Sequence, residues 1–217
     1  MKKSNSTKKA LGASLILSPN KLTFKVNAKT EDGSNITVEG CTETRLASDT
    51  KTTLHARGTT VILKGKITEL DVSGTYENKQ TLTALNVQGL TALQKLECWK
   101  NQLTELNVQG LTALQKLSCG GNKLTELNVQ GLTALQELGC YSNQLNAKAM
   151  TELLNALPVR EVDDNAKAIL YTEETDEPEG NYKDYTQPAE LKAAFEDAKS
   201  RKWQLMKVDA SGNWEDI

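Results

Sequence analysis

The sequence predicts an α/β solenoid of about four right-handed coils, flanked by a β-rich N-terminal cap and a small α/β C-terminal cap. Three observations carry that expectation. Nearly identical stretches, LTALQKLECWKNQLTELNVQG from Leu90, LTALQKLSCGGNKLTELNVQG from Leu111 and LTALQELGCYSNQL from Leu132, restart every 21 residues. Leucines sit at fixed offsets within each stretch, and an asparagine follows each apolar cluster. A fixed short period of this kind marks a repeat array, in which each unit buries its apolar face only by stacking on its neighbours.

Four segments follow from this in chain order. Residues 1–20, MKKSNSTKKALGASLILSPN, combine a basic start with a short apolar run from Ala10 to Leu17, and read as a secretory signal or a disordered segment. Residues 21–66 contain KLTFKVNAK, NITVEGC, TKTTLHAR and TTVILKG, short alternating or β-branched runs parted by turn residues, and form the expected β-rich cap. Such a cap would cover the apolar edge of the first coil.

Residues 67–146 are the repeats. Aligned on the leucine-rich-repeat pattern LxxLxLxxNxL, the strand positions are Leu93, Leu96, Cys98 and Asn101, then Leu114, Leu117, Cys119 and Asn122, then Leu135, Leu138, Cys140 and Asn143. A second apolar set, including Leu103, Leu106 and Val108, lines the other edge of each coil. An earlier, degenerate coil begins at Ile67, and the stretch SGTYENKQT between it and the next coil is an insertion at one edge. Asn101, Asn122 and Asn143 are expected to form a buried ladder that satisfies backbone groups left unpaired by the turns. Gly89, Gly110 and Gly131 suit the opposite corner. The cysteine column is read as buried free thiols that pack as small hydrophobes, because no C-x-x-C is present and the single histidine, His55, lies outside the repeats. Cys41 is a fourth.

Residues 147–217 make the second cap. Met150, Leu153, Leu154 and Leu157 fall on one helix face that Pro158 ends, Ala168–Tyr171 reads as a strand, and a second helix starts near Pro188. WQLMKVD closes as a strand, with Trp203 and Trp214 as packing residues.

The 21-residue unit with LxxLxCxxNxLxxLxV resembles the bacterial surface or secreted leucine-rich-repeat proteins, in particular the internalin-like branch in which a cysteine ladder replaces a leucine column. The resemblance covers about residues 61–150. It implies export or surface display, and binding of host proteins or adhesion through a concave face. No LPxTG sorting motif is present, and only four coils are recognisable.

Residues alternating with buried leucines in a strand face outward. The candidate ligand-binding set is therefore Glu69, Asp71, Lys95, Glu97, Trp99, Lys116, Ser118, Glu137 and Tyr141. These positions vary between coils while the scaffold does not, and exposed aromatics among charges are enriched where surfaces bind. Gly120, between Trp99 and Tyr141, is expected to leave a shallow gap. Glu69, Asp71 and Glu97 share one side, where a weak cation site is imaginable but not expected.

Composition narrows the function classes. A net charge of −2 without a basic stripe argues against nucleic acid, and no apolar run reaches the roughly 20 residues a membrane helix needs. No histidine stands beside a nucleophile, no glycine-rich phosphate loop occurs, and the paired acids Asp163 and Asp164 fall in a turn, so no catalytic residue, metal site or cofactor is expected. The expectation is a monomeric, non-enzymatic module that binds a protein or glycan. A carbohydrate-binding module and a structural spacer are the rival readings.

Overall fold

Period-2 alternation organises the first strands. In β1 (Gly12–Leu17) Ala13, Leu15 and Leu17 are buried, and in β2 (Thr23–Thr30) Phe24, Val26 and Ala28 are buried while Lys25, Asn27 and Lys29 face the other way. The computed structural model describes residues 12–74, 81–175 and 178–217. Along the chain follow β3 (Ile36–Glu39), β4 (Arg45–Leu46), β5 (Thr52–His55), β6 (Thr60–Lys64), β7 (Ile67–Asp71) and β8 (Leu82–Asn86). The repeats contribute β9 (Lys95–Glu97), β10 (Lys116–Ser118) and β11 (Glu137–Gly139). Helix α1 (Ala147–Ala156), β12 (Lys167–Thr172), α2 (Ala189–Ser200), β13 (Gln204–Val208) and β14 (Trp214–Asp216) complete the order.

Among the described residues these strands form two sheets. One has five antiparallel strands in the order β4-β3-β6-β1-β8. The other has nine, in the order β14-β13-β12-β11-β10-β9-β7-β2-β5. Its centre, from β7 through β9 to β13, is parallel, and β2, β5 and β14 add antiparallel flanks.

This architecture corrects the expected fold class. In place of an α/β leucine-rich-repeat solenoid between a β-rich and an α/β cap, the described residues form a mainly β protein of two large sheets, with two α-helices that both follow residue 146. The physical reason lies in the repeat length and the flanks. A 21-residue unit leaves no room for a return helix, so Leu103, Leu106 and Val108 are buried from irregular extended backbone. The flanking strands hydrogen-bond directly onto the repeat strands, so the repeats are the middle of a continuous sheet.

The apolar run at the N-terminus is a core strand: β1 lies between β6 and β8, and Leu15 is fully buried. Residues 1–11 of the expected signal or disordered segment, and most of the SGTYENKQT insertion, lie outside the described residues.

Register in the parallel centre is strict. Leu70, Leu96, Leu117, Leu138 and Ala168 lie side by side across five strands, and all are buried. Beside them run four asparagine rungs. Asn101 accepts from the Leu82 N–H (2.9 Å) and donates to the Val72 and Cys98 carbonyls (3.0 and 3.1 Å). Asn122 accepts from Leu103 (3.0 Å) and donates to Cys98 and Cys119 (3.0 and 2.9 Å). Asn143 repeats the pattern with Leu124, Cys119 and Cys140. The fourth rung comes from outside the repeats: Asn181 accepts from Leu145 (2.9 Å) and donates to Cys140 and Leu170 (both 2.9 Å). Each shared carbonyl thus receives amides from two successive rungs, so the backbone groups of one turn are satisfied through the next.

The residue before each repeat asparagine has left-handed backbone: Lys100 (φ 56°), Gly121 (φ 65°) and Ser142 (φ 52°). Only the glycine adopts it without steric cost. Glu179 supports the last turn by accepting from the backbone N–H groups of Ser142, Thr172 and Asn181 at 2.7–2.8 Å. Burial pushes its carboxyl up, against the opposing pull of those three donors.

Candidate recognition face

The exposed face of the nine-stranded sheet gathers the sequence-predicted positions into three rows. Lys29, Glu69, Lys95, Lys116, Glu137 and Lys167 are register partners in the first. Asn27, Asp71, Glu97, Ser118 and Gly139 form the second. Beyond the strand ends, backbone hydrogen bonds from Gly74 to Trp99, Lys100 to Gly120 and Gly121 to Tyr141 align the third.

The charged members of this face pair with one another. Lys29 meets Glu69 at 2.9 Å, and Lys95 meets Glu97 at 3.1 Å. Lys116 bridges Glu97 (3.4 Å) and Glu137 (2.8 Å), and Lys167 approaches Glu137 at 3.8 Å while lying 4.3 Å over the Trp214 ring. Partial burial would lower the Lys116 pKa, but hydrogen bonds and charge from Glu137 and Glu97 outweigh it and raise the value. Half-exposed pairs of this kind each contribute little to stability, about 0–1 kcal/mol. Their consequence here is that every lysine of the first row has a carboxylate partner, with Glu97 of the second row serving both Lys95 and Lys116. Lysine ammonium groups pair with Glu69 and Glu97, two of the three acids that share this side. Among the described residues no group of three His, Cys, Asp or Glu side chains is placed to hold a metal ion.

The aromatic positions differ from one another. The Tyr141 ring lies over Gly120, where an added Cβ would come within 3.1 Å of the ring, so the shallow gap expected at Gly120 is filled by tyrosine. Trp99 is half-buried, with the Lys100 ammonium 5.3 Å from its ring centroid. It walls a pocket of about 180 Å³ together with Lys25, Lys51, Asp71, Ser73 and Gly74. The Ser73 hydroxyl is buried without a hydrogen-bond partner, while its N–H donates to Asp71 Oδ1 at 3.0 Å.

Lys25 and Lys51, which the sequence did not single out, come from β2 and from the turn before β5. The alternation of β2 puts Lys25 on the same side as Lys29, a signal legible in the sequence. Its placement beside Trp99 depends on β2 pairing with β7, which is not. Lys167 and Trp214 were missed for the same reason. Trp214 was expected to pack, but it is 49% exposed on the terminal strand. Trp203 is buried and donates from Nε1 to the Pro158 carbonyl at 2.7 Å.

The thiols of Cys41, Cys98, Cys119 and Cys140 are free and buried. Burial pushes Cys98 up to about 12 and Cys41 up to about 11, with nearby carboxylates adding to both, and raises Cys119 and Cys140 well above the ordinary range. A neutral, water-excluded thiol is neither a nucleophile nor a metal ligand.

A larger groove of about 940 Å³ lies on the opposite side, between β1 and β8 on one hand and α1 on the other. Asn86, Asn107 and Asn128 line it, and each uses its Oδ1 to accept the backbone N–H two residues on. Those residues are the same in each coil, so the groove repeats one surface where the sheet face varies.

Among the described residues no helix is long and apolar enough to cross a membrane. No protein-family model, curated protein or solved structure matches the chain.

Proposed function

We propose that the chain is a non-enzymatic recognition module that binds a macromolecular partner through the exposed face of the nine-stranded sheet. The observation that supports this reading is where variation falls. Between coils, the buried Leu, Cys and Asn positions are constant, whereas Glu97, Ser118 and Gly139, and likewise Trp99, Gly120 and Tyr141, change at matching places. Those changing positions lie together on one surface, and Trp99 walls a pocket on it. A constant, rigid support under a variable surface suits binding by preorganised contacts. The ion-pair ladder limits non-specific attraction, so selectivity rests on the aromatic groups and the charges the ladder leaves over.

The test is binding of labelled protein to an array of extracellular proteins and glycans, with Trp99→Ala beside the parent. A partner lost in the variant at unchanged thermal stability supports the reading. A partner that the variant retains at full affinity contradicts it.

A further inference from the structure

We infer that the pocket beside Trp99 is an anchor site for a side-chain carboxylate from an acidic segment of a partner protein; this rests on the sheet face being the recognition surface. The lysines of this face fall into two groups. Lys29, Lys95, Lys116 and Lys167 each have a carboxylate within 3.8 Å. Lys25 and Lys51, both exposed, form no ion pair among the described residues, yet both line the same pocket. The pocket therefore carries two uncommitted cations against one carboxylate, Asp71, which already accepts the Ser73 N–H.

The neutral groups complete the recognition chemistry. The Ser73 hydroxyl is buried and unpartnered, and a buried donor without an acceptor is costly until a ligand supplies one. Two lysines and a serine lining one pocket with an indole match an anionic acceptor on a short aliphatic stem, because charge-assisted hydrogen bonds are the strong ones and the ring offers the stem an apolar surface. The pocket's 180 Å³ has room for an aspartate or glutamate carboxylate with its stem, and a sugar-acid polymer beside an acidic peptide in the test separates the two sources of such a carboxylate.

The probes are fluorescein-labelled octaglutamate, octaglutamine and octalysine peptides, with polygalacturonate as the sugar-acid arm, titrated against the whole chain. Octaglutamate is expected to bind in a saturable way that weakens in about 0.5 M salt. Lys25→Gln with Lys51→Gln is expected to weaken it about tenfold or more, and both lysines are exposed, so the variant keeps its fold. Binding of octaglutamine as tight as octaglutamate, no saturable octaglutamate binding below about 1 mM, or indifference to the lysine changes each overturns the inference. Lysine-dependent binding of polygalacturonate without octaglutamate overturns the protein source. An array partner lost in Trp99→Ala but kept in the double lysine variant overturns the carboxylate anchor and leaves the recognition face standing. A partner kept by both variants overturns both.

Discussion

Replacing Asn122 by alanine removes the middle rung of the asparagine ladder, and the structure says how each lost bond is compensated. The buried Leu103 N–H loses its only side-chain acceptor, at 3.0 Å, and an orphaned buried donor costs about 1–3 kcal/mol. The Cys98 and Cys119 carbonyls lose one donor each but keep another, from Asn101 and Asn143 respectively, so their loss is the smaller net value of about 1 kcal/mol apiece. Together the substitution should destabilise the fold by about 3–5 kcal/mol, which for a chain of this size corresponds to a fall in Tm of about 10 °C or more. Asparagine to aspartate should not rescue it, since a carboxylate would face two carbonyl oxygens from a buried site. Urea unfolding followed by circular dichroism, with Asn181→Ala as a companion, measures the effect. Both alanine variants should lose stability to a similar extent, because Asn181 makes the same three kinds of bond. A loss under about 1 kcal/mol in Asn122→Ala would refute the reasoning, because it lies below the cost of a single unmet donor.

Other outcomes follow from individual side chains. Ser142→Gly should stabilise the protein by about 1 kcal/mol, because it relieves left-handed backbone at φ 52° and an unpartnered buried hydroxyl, offset in part by glycine's chain entropy; a lower urea midpoint would contradict this. The four thiols should resist iodoacetamide at pH 8 in the native protein and react fully in denaturant, so native labelling on a timescale of minutes would be at odds with their burial. The His55 backbone N–H (2.8 Å) and then its ring Nδ1 (2.7 Å) hold the Glu43 carboxyl down to about 2 from its ordinary 4.5. Between those values the unfolded chain binds a proton that the folded chain does not, so this contribution is complete above about pH 4.5 and lost as pH falls toward 2. Glu43→Gln should accordingly flatten the acid limb of a stability–pH profile, and an unchanged slope would remove the assignment.

What could be read from the sequence was what repeats. The 21-residue period places Leu96, Leu117 and Leu138, the three cysteines and Asn101, Asn122 and Asn143 at equivalent positions, and alternation within each strand then marks Lys95, Glu97 and their counterparts as outward facing. What could not be read was what pairs across long separations. Nothing in the alternation of β2 or in Ala168–Tyr171 says that these strands join the repeat strands, and that joining turns the expected α/β solenoid into a nine-stranded sheet. Asn181 illustrates the same limit, since it serves as a rung from a loop with no repeat signal. On the face itself, matching signs at a 21-residue spacing put Lys95 beside Lys116. Their compensation comes from the neighbouring row through Glu97, a diagonal relation that only the three-dimensional register reveals.

The reading that the sheet face recognises a partner is tested most directly by titrating the strongest array partner against the parent chain, Trp99→Ala, and a control substitution on the opposite groove such as Asn107→Ser. Trp99→Ala should weaken binding about tenfold or more while the groove variant leaves it unchanged. Equal affinity for Trp99→Ala and the parent, with loss only in the groove variant, would contradict it and move the binding surface to the other side of the molecule.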